Sequence, residues 1–560
     1  MRILGISNTK DSGACLLIDG ELVAAVNEER LNRNKMTRAF PEKSIEWLLN
    51  SHGLSAHDID AISIGAWKAI NSTIELKRYL KIAKEMIYKN PGTRDAIESR
   101  IKGSINSDTK QWTEFKKGLE SKCFSKHRFF HCQHQMAHSY TAFEFSPYER
   151  ALVVSLDGRG DFMSGSVSIW RKGQKPFVLR NELELDSLGL LYGLITYYLG
   201  FTPDRHEGKI MGLAARGNPE VCLELMRKMV VEKEGCIISN IGEYYAPYMK
   251  AELPKLRSVL SRFKREDIAA AIQKHLEETV VAYISHYLTQ TGEKNLCVAG
   301  GVFANVLLNM CLRELPEVEN LFVFPHMGDG GISVGGAAYA ASQLGDKVKP
   351  MKNAYLGPSN DINTYIDFII NSGFKITEPS DFPSKVALLI HKGYVVGFYC
   401  GRMEYGPRAL GARSILARAT DPTINSELNR RLNRTEFMPF SPVTLEEAAE
   451  KCYQGWKKED VSSYYMTSCY NATELMKKQS PAAIHIDGTA RPQIINSFIH
   501  KEYYAVLKAY NSMSNIPSII NTSFNLHEEP IACDIEQALD VLKYSGVDAL
   551  AIPPLIIYKS

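Results

Sequence analysis

The chain has 560 residues, of which 45% are hydrophobic and 23% are charged, so it is a globular sequence too long for one core, and two or more domains are expected. Its formal net charge is only +3, and so balanced a charge does not call for nucleic acid or an anionic membrane as partner. The 11 cysteines include no C-x-x-C pair, no apolar run reaches membrane-spanning length and the first residues lack a signal-peptide pattern, which together predict a cytoplasmic protein with reduced thiols.

The chain opens with a pattern of strand, polar loop and hairpin that returns further along. Residues 3–7 predict a buried strand, and Asp19-Gly20 joins the two apolar runs that follow, which is the strongest short hairpin signal. The pattern returns with an apolar run at 152–156, the loop D-G-R-G-D at 157–161 and a second hairpin. We interpret the two copies as a duplicated α/β half-domain whose polar loops face one cleft. Coincidence between two common motifs is the alternative.

Residues 67–129, between the two copies, are poor in glycine and contain about twice as many basic as acidic residues. Their composition predicts helices. Such a run is most often a solvated helical face. The other interpretation is a lid or an insertion on the side where a substrate binds.

Two histidines that follow this region have the spacing of metal ligands. His134 and His138 are four residues apart in H-C-Q-H-Q-M-A-H, so on a helix both rings project from one face and can contact one ion. A hard or borderline cation also needs oxygen ligands, and Asp157 and Asp329 are the natural candidates. Packing or capping is the alternative, because a single H-x-x-x-H motif is weak evidence for a metal.

Two further motifs of the first half predict ligand contacts at turns. In A-G-G-V-F-A-N at 299–305, Gly300 and Gly301 would let a nucleotide approach the backbone and Asn305 would hydrogen-bond to it. A tight strand-to-helix turn without a ligand is the alternative. E-G-K-I-M-G-L-A at 207–214 places Glu207 and Lys209 ahead of a small apolar turn. Near 343–359, charge, two prolines and Gly357 break the periodicity and predict a linker.

The most informative motif is G-R-M-E-Y-G-P-R-A-L-G-A-R-S-I-L at 401–416, directly after an apolar strand at 395–400. Glycines separate Arg402, Arg408 and Arg413, and they let backbone amides approach a ligand closely. Arginine presents a planar fork to phosphate or carboxylate. We predict an anion-binding loop, and a solvated basic loop is the alternative.

Polar motifs also follow apolar segments near the end of the chain. D-G-T-A-R-P-Q at 487–493 contains Arg491, and N-T-S-F-N at 521–525 contains Asn521, Ser523 and Asn525. Such side chains at strand ends are where α/β sheets place their ligands. Asp534 is predicted to cap a helix over 535–544.

Taken together, these motifs resemble the NodU/CmcH family of O-carbamoyltransferases, and the resemblance extends from Ile3 to Ile552. It is most specific at 207–214, 401–416, 487–493 and 521–525. The resemblance implies an α/β fold in which a duplicated ASKHA domain of the actin/Hsp70 type, similar to Kae1, precedes a YrdC-like α/β domain. We expect the first domain at 1–345, a linker at 346–375 and the second domain at 376–560.

The resemblance also implies a two-step reaction. The YrdC-like domain would activate carbamoyl phosphate with ATP and Mg²⁺, giving carbamoyl-adenylate and pyrophosphate. The Kae1-like domain would then move the carbamoyl group to a hydroxyl of a small molecule or sugar. One divalent metal, with Fe²⁺ preferred over Mn²⁺ or Zn²⁺, would bind in the first domain. Neither nucleic acid nor a membrane is expected as a partner.

Matching positions in the family motifs imply roles for individual residues. Arg408, Arg434, Arg491 and Ser523 would grip carbamoyl phosphate and the nucleotide. The metal ligands would be His134, His138, Asp157 and Asp329. Further contacts to nucleotide and cofactor are assigned to Gly158, Glu207, Lys209, Gly300, Gly301, Asn305, Arg402, Arg413, Asn521 and Asn525.

Two positions depart from the family pattern. Lys10 stands where the family has a histidine that is a candidate general base. Lysine would act as a base only with a lowered pKa, so our hypothesis is that Lys10 contacts phosphate and that Asp11 or a water at the metal takes the proton. The family motif K-x-R-E-x-F-R-P is L-N-R-T-E-F-M-P here, at 432–439. Arg434 is retained, and Arg431 is a looser substitute for the missing lysine.

Two other classes of function remain open. A tRNA-modifying enzyme that transfers a threonylcarbamoyl group would need a basic surface and show steep salt dependence. The balanced charge disfavours it, although the basic region at 67–129 keeps it open. A nucleotide-gated binding module would need no carbamoyl phosphate site, and Arg408, Arg491 and Ser523 argue against it.

Overall fold

The computed structural model describes residues 1–88, 94–242, 244–247, 253–432 and 440–559. It divides into two compact units, the first formed by Met1–Val23 and Arg38–Pro350 and the second by Ala24–Thr37 and Met351–Ser560. The second unit therefore includes a short piece from the N-terminal part of the chain. No helix within the described ranges combines the length and the apolar character needed to cross a bilayer.

The first unit alternates strands and helices along the chain. Its strands are β1 (Arg2–Ser7), β2 (Gly13–Ile18), β3 (Glu21–Asn27, which ends in the second unit), β4 (Ala61–Ile64), β5 (Arg128–His131), β6 (Arg150–Gly160), β7 (Met163–Arg171), β8 (Phe177–Leu183), β9 (Val230–Lys233), β10 (Cys236–Ser239), β11 (Asn295–Ala299) and β12 (Asn320–Val323). The helices along this part of the chain are α1 (Glu28–Asn32, in the second unit), α2 (Glu42–Ser51), α3 (Lys68–Asn71), α4 (Thr73–Tyr88), α5 (Arg94–Ser121), α6 (His134–Glu144), α7 (Leu188–Tyr198), α8 (Glu207–Ala214), α9 (Leu223–Arg227), α10 (Pro254–Leu260), α11 (Arg265–Thr291), α12 (Val306–Arg313) and α13 (Ile332–Leu344).

Two five-stranded sheets have the same strand arrangement. One has the order β3-β2-β1-β4-β5, and the other, read from its far edge, has the order β8-β7-β6-β11-β12. In the first sheet β1 pairs antiparallel with β2 and parallel with β4, and β4 pairs parallel with β5. In the second sheet β6 pairs in the same way with β7 and β11, and β11 pairs parallel with β12. This shared topology confirms the duplicated ASKHA-type α/β fold expected for the first half.

Apolar residues at helical spacing form the core above the second of these sheets. The long helix α11 is enclosed on more than one face, because residues 268–273 are all buried, and a series of large apolar residues recurs along it every three or four positions. The buried residues of this series are Ile268, Ile272, Leu276, Val280, Tyr283 and Ile284.

The second unit is built on one mixed sheet of eight strands in the order β13-β22-β21-β14-β15-β20-β16-β19. Its strands are β13 (Lys375–Thr377), β14 (Val396–Tyr399), β15 (Arg413–Ala417), β16 (Ser441–Leu445), β17 (Tyr470–Asn471), β18 (Thr489–Ala490), β19 (Gln493–Ile495), β20 (Ser518–Ser523), β21 (Ala549–Ile552) and β22 (Leu555–Tyr558). Its helices are α14 (Ile366–Asn371), α15 (Phe382–His391), α16 (Ile424–Arg431), α17 (Ala449–Cys452), α18 (Glu474–Gln479), α19 (Lys501–Ser514) and α20 (Ile535–Tyr544). The predicted cap of α20 is confirmed, because Asp534 accepts from the backbone N–H of Gln537 over 2.8 Å.

The structure differs from the expected linker at 346–375. Residues from Met351 onward belong to the second unit. They include α14, whose Ile369 is fully buried in the core, and Lys375 begins an edge strand. Prolines and charges here produce irregular backbone that packs as part of the unit.

Candidate functional site

The polar loops of the first unit follow strands whose carboxyl ends share an edge of the sheet. β1, β4 and β5 are parallel neighbours in one sheet, and β6, β11 and β12 are parallel neighbours in the other. Ligands of α/β sheets bind beyond such ends. The segments that end or follow these strands carry Asp11, His134, Asp157, Gly300 and Asp329.

Four side chains form a compact cluster in the first unit. His134 and His138 lie on α6, Asp157 lies near the end of β6, and Asp329 begins the turn after β12. One potential ligand atom from each residue lies within 4.8 Å of the others. The Nε2 atoms of the two histidines are 3.2 Å apart, and His134 Nε2 lies 3.3 Å from Asp157 Oδ2 and 3.4 Å from Asp329 Oδ1.

These separations fit a single divalent cation. Ligands roughly 2.1 Å from a tetrahedral metal lie about 3.4 Å from one another. Two imidazole nitrogens and two carboxylate oxygens suit Fe²⁺, Mn²⁺ or Zn²⁺. The fold thus brings together the four residues predicted as metal ligands.

The carboxylates favour a protonated His134 when no cation is bound. Burial alone would lower the pKa of His134, but the charges and hydrogen bonds of Asp329 and Asp157 raise it to about 10. Burial would raise the pKa of Asp329, and the two histidines instead hold it well below its ordinary value. A cation that enters the cluster must therefore displace a proton.

Hydrogen bonds with backbone N–H groups hold two of the predicted metal ligands in place. The Gly301 N–H donates to Asp157 Oδ1 over 2.9 Å, so the predicted nucleotide turn contacts a predicted metal ligand. Asp161 accepts from the backbone N–H of His134 over 2.9 Å. A Cβ at Gly160 would lie 2.1 Å from the His134 ring, so only glycine fits at that position.

Lys10 and Asp11 face different partners. The Lys10 ammonium donates to the backbone carbonyl of Asp204 and lies 3.7 Å from its carboxylate. Asp11 has a left-handed backbone with φ of 62°, and its Oδ2 lies 3.6 Å from Nε2 of His326. The His326 side chain is 5% exposed and that of Asp11 is 23% exposed, so the histidine lies deeper than the carboxylate. Sequence reasoning missed His326, although it lies in the same loop as Asp329.

The predicted residues of the E-G-K motif begin α8. Glu207 Oε1 accepts from the backbone N–H of Asp204 over 2.6 Å, which places it beside the partner of Lys10. Burial raises the pKa of Glu207. Lys209 is half-buried in the same helix.

The glycine turn after β11 is held in a conformation that favours glycine. Gly300 has a φ of 105°, and a Cβ there would lie 2.1 Å from the carbonyl oxygen of Leu156. Asn305 caps α12 and exchanges hydrogen bonds of 2.8 and 3.1 Å with Gln273. Its amide therefore contacts protein groups, and its contact with a nucleoside stays a prediction. A Cβ at Gly158 would meet no atom within 4 Å, so that strand end borders open space.

The helical region of α3 to α5 is attached to the loops of this site. Trp67 Nε1 donates to Asn8 Oδ1 over 3.0 Å, and Asn8 in turn donates to the carbonyl of Gln111 over 3.1 Å. Arg159, two residues after Asp157, contacts both carboxylate oxygens of Asp108 at 2.7 and 2.8 Å. These contacts favour a substrate-side insertion over a purely solvated helical face.

Neighbouring strands of the second unit bring polar residues together at one edge of the sheet, that is, at the side where these strands begin or end. β14 and β15 are antiparallel and enclose the arginine loop between them. β20 is antiparallel to β15 and ends at Ser523, and β16 begins beside it at Ser441. β19 is parallel to β16 and begins two residues after Arg491. The Arg408 loop, Ser441, Arg491 and Ser523 therefore lie at the same edge.

Arg408 and Arg491 are close enough to influence each other. Arg491 donates to Ser441 Oγ through Nε at 2.9 Å and Nη2 at 2.7 Å. Burial and, secondly, the positive charge of Arg491 lower the pKa of Arg408 to about 9. An anion beside both guanidinium groups would relieve this repulsion.

The other two arginines of the predicted anion loop are engaged with the backbone. Arg413 is fully buried, donates to the carbonyls of Ala412, Gly401 and Pro358 at 2.8 to 3.1 Å, and lies 3.5 Å from the ring of Tyr399. Arg402 donates to the carbonyls of Leu356 and Gly357. The guanidinium of Arg413 thus supports the loop from inside, and its assignment to nucleotide binding stays a prediction.

Three buried side chains hold the arginine loop in place. Asn521 donates to the carbonyl of Ala409 over 3.1 Å, and Gln493 donates to the carbonyl of Leu410 over 2.7 Å. Glu404 Oε1 accepts from the backbone N–H of Leu410 over 2.6 Å. Sequence reasoning assigned no role to Glu404 or Gln493, although both stand in motifs that it singled out.

The remaining predicted residues of the second unit have other positions. Asn525 donates to the carbonyls of Leu526 and Glu529, so it closes the turn after β20. Arg434 lies outside the described residues. Arg431 bonds to the carboxylate of Asp548 at 3.0 and 3.2 Å, so its role here is a structural ion pair.

Comparison with known families gives two matches that together span most of the chain. The family model described as Carbamoyltransferase N-terminus matches residues 2–338, and the one described as Carbamoyltransferase C-terminus matches residues 387–559.

Two of the relatives that match along nearly the whole chain carry names from nodulation. Nodulation protein NolNO of Sinorhizobium fredii is 31% identical over 576 residues, which cover 99% of this chain and 80% of that protein. Nodulation protein U of Azorhizobium caulinodans is 25% identical over 561 residues, covering 94% of this chain and 93% of that protein.

Solved structures resemble the chain more weakly. Component A of (R)-2-hydroxyglutaryl-CoA dehydratase from Acidaminococcus fermentans aligns with a TM-score of 0.34 and 15% identity, over 62% of this chain and 99% of its own. HypF of T. kodakarensis aligns with a TM-score of 0.24 and 20% identity, over 32% of this chain and 22% of its own. Scores of this size are too low to support a conclusion about this chain.

Proposed function

This chain belongs to the carbamoyltransferase family, and from that premise we propose that it is an ATP-dependent O-carbamoyltransferase. The second unit would form carbamoyl-adenylate from carbamoyl phosphate and ATP. The first unit would transfer the carbamoyl group to a hydroxyl of a small molecule or sugar.

One observation carries the proposal: Arg408, Arg491, Ser441 and Ser523 lie at the same sheet edge of the second unit. Two buried or half-buried guanidinium groups so close that burial and the charge of Arg491 lower the pKa of Arg408 suit a site that receives two polyanions. Carbamoyl phosphate and the triphosphate of ATP repel each other, and fixed arginines offset that repulsion without reorganising during the reaction.

The activation half-reaction must balance with one water. Hydrolysis of the carbamoyl–phosphate bond releases orthophosphate and carbamate. A carbamate oxygen then attacks the α-phosphorus of ATP, and the bond to the β-phosphate breaks with its electron pair on pyrophosphate. Arg408 and Arg491 would stabilise the negative charge on the phosphoryl oxygens.

In the transfer half-reaction, the acceptor oxygen forms a bond to the carbamoyl carbon and the bond to AMP breaks. Asp11 would accept the hydroxyl proton, and His326 behind it would orient the carboxylate. Lys10, whose ammonium donates to the carbonyl of Asp204, would contact a phosphate and take no part in this proton transfer. A divalent cation held by His134, His138, Asp157 and Asp329 would offset charge on the departing AMP.

The activation half-reaction can be tested without an acceptor. Purified protein would be mixed with ATP, Mg²⁺ and carbamoyl phosphate, and pyrophosphate release would be followed. We expect release that depends on carbamoyl phosphate and that falls by roughly 100-fold or more in Arg408→Ala, because one cation of the site is lost.

The matched control is Arg171→Ala, which removes an exposed arginine from the end of β7 in the first unit. It should release pyrophosphate at the wild-type rate. Equal rates in wild type and Arg408→Ala would contradict the proposal.

The tRNA alternative has its own signature. An enzyme of that class would release pyrophosphate with bicarbonate and threonine in place of carbamoyl phosphate, and its affinity for tRNA would fall steeply with salt. Family membership favours carbamoyl phosphate. Release with bicarbonate and threonine alone would reverse that preference.

A further inference from the structure

Residues 24–37 form a part of the second unit that is distant from it in sequence. They contain the end of β3, the short helix α1 and the residue Arg33 with a left-handed backbone. The backbone N–H of Ala25 donates to the carbonyl of Leu356 over 3.1 Å, which joins this segment to the main body of the unit.

Three consecutive charged residues of α1 are buried, which is unusual for such side chains unless each has partners. Glu28, Glu29 and Arg30 are 3%, 6% and 7% exposed. Glu29 accepts from the backbone N–H of Met36 over 2.7 Å and lies 3.2 Å from the guanidinium of Arg30. Burial of these charges implies a specific position for the segment.

Arg30 reaches the loop that carries Arg408. Its Nη2 donates to the carbonyl of Gly406 over 3.1 Å, across a sequence separation of 376 residues. Leu31 packs against the apolar cluster that contains Met403 and Ala409 of the same loop. The segment thus bonds to the arginine loop at Gly406 and packs against an apolar cluster to which that loop contributes two residues.

Arg33 reaches the loop that follows Ser523. Its Nη1 donates to the carbonyl of Ile531 over 2.9 Å and its Nη2 to the carbonyl of Pro530 over 2.8 Å. Its Nη2 also lies 3.4 Å from the carboxylate of Glu529. Both loops at the anion-binding edge are therefore bonded to cations of one segment.

We propose that Arg30 and Arg33 are positioning residues of the anion site, and that residues 24–37 are needed to complete it. The inference rests on the proposed function. By bonding to backbone carbonyls of both loops, the two arginines fix the distance between Arg408 and Ser523. Displacement of either loop would misplace the groups that grip the phosphates.

The test uses the full chain with Arg30→Gln and Arg30→Lys, and with Arg38→Gln as matched control. Arg38 is exposed and lies just beyond the segment. The kcat and KM for carbamoyl phosphate would be measured by pyrophosphate release. Amide hydrogen exchange would be followed in the loops at 401–412 and 526–533.

We expect Arg30→Gln to lower kcat/KM by roughly 10- to 100-fold and to speed exchange in the loop at 401–412, where its partner Gly406 lies. Arg30→Lys should recover part of the activity, because its ammonium can donate one hydrogen bond to Gly406. Arg38→Gln should match wild type. Unchanged exchange in the loop at 401–412 of folded Arg30→Gln would overturn the inference, as would an equal increase throughout the chain.

Two further results separate this inference from its premise. If wild-type protein releases no pyrophosphate, the proposed function fails and the exchange measurement still decides the inference. If Arg30→Gln does not fold, the same exchange measurement on Arg33→Gln tests the inference. Faster exchange confined to 526–533 in that variant supports the inference, and unchanged exchange there overturns it.

Discussion

Arg408 and Arg413 of this enzyme are five residues apart in sequence and have different surroundings. Arg413 is fully buried and directs its donors to backbone carbonyls, with its plane close to the ring of Tyr399. Arg408 lies near Arg491, whose charge helps to lower its pKa to about 9. A guanidinium that donates to several backbone carbonyls stabilises the fold, whereas two guanidinium groups of like charge create a place for an anion.

At the same scale, Gly160 is predicted to be essential for the metal cluster. In Gly160→Ala the new methyl group would lie 2.1 Å from the His134 ring, so the ring must move. We expect the variant to bind Mn²⁺ or Zn²⁺ roughly 10- to 100-fold more weakly and to lose about 1–3 kcal/mol of stability from overpacking. Isothermal titration calorimetry and thermal unfolding would measure both effects.

The control for this substitution lies two residues away on the same strand. A methyl group at Gly158 would meet no atom within 4 Å, so Gly158→Ala should keep wild-type metal affinity and stability. Equal metal affinity in the two variants would show that the His134 ring has more room than its contacts indicate.

At the scale of elements, the features that could be predicted from the sequence are those that depend on residues close together in the chain. The Asp19-Gly20 hairpin, the helix that carries His134 and His138, and the cap at Asp534 depend on neighbours a few residues away. They were predicted because propensity and periodicity act over that range. The duplicated sheets followed from the repetition of one such pattern.

Contacts between distant segments were not predictable from the same patterns. Arg30 and Gly406 are 376 residues apart, and no periodicity or motif links them. His326 was missed for the same reason, since its partner Asp11 stands near the start of the chain. The carbonyl contacts of Arg413 were equally out of reach, because residue type and spacing do not reveal which way a side chain points.

The insertion α3 to α5 should depend on its ion pair with the site. Asp108→Ala would remove both contacts to Arg159 and leave a half-buried cation next to the loop of Asp157. We expect a loss of about 1–3 kcal/mol and faster amide exchange in α5. Hydrogen exchange with mass spectrometry would locate the change.

Glu114 supplies the comparison on the same helix. It is exposed, and its carboxylate lies 4.0 Å from the ammonium of Lys110 one turn away. Surface pairs of this kind contribute a few tenths of a kcal/mol at most, so Glu114→Ala should leave exchange in α5 unchanged. If Asp108→Ala behaves like Glu114→Ala, the insertion is held by its other contacts, including the hydrogen bonds of Asn8 with Trp67 and Gln111.

At the scale of the whole molecule, metal should protect one unit and not the other. All four clustered ligands belong to the first unit. A cation at 100 times its dissociation constant stabilises the state that binds it by about 2.7 kcal/mol. We expect Mn²⁺, Fe²⁺ or Zn²⁺ to slow exchange in first-unit peptides around 134–138, 157 and 329, and EDTA to reverse the effect.

His138→Ala tests whether the cluster is the source of that protection. The variant should show the same exchange rates with and without added metal. Slower exchange across both units in wild type, or protection that survives in His138→Ala, would place the cation elsewhere.

The segment at 24–37 also limits where the chain can be cut to make a fragment or a chimera. A fragment cut at the start of the C-terminal family match, residue 387, would lack Arg30 and Arg33 together with their hydrogen bonds to two loops. If this fragment replaced the corresponding part of a relative, it would contain the arginine loop but lack α1, the helix that contacts that loop. A chimera that aims to exchange the second unit must therefore carry two separate pieces of coding sequence, one for residues 24–37 and one for residues 351–560.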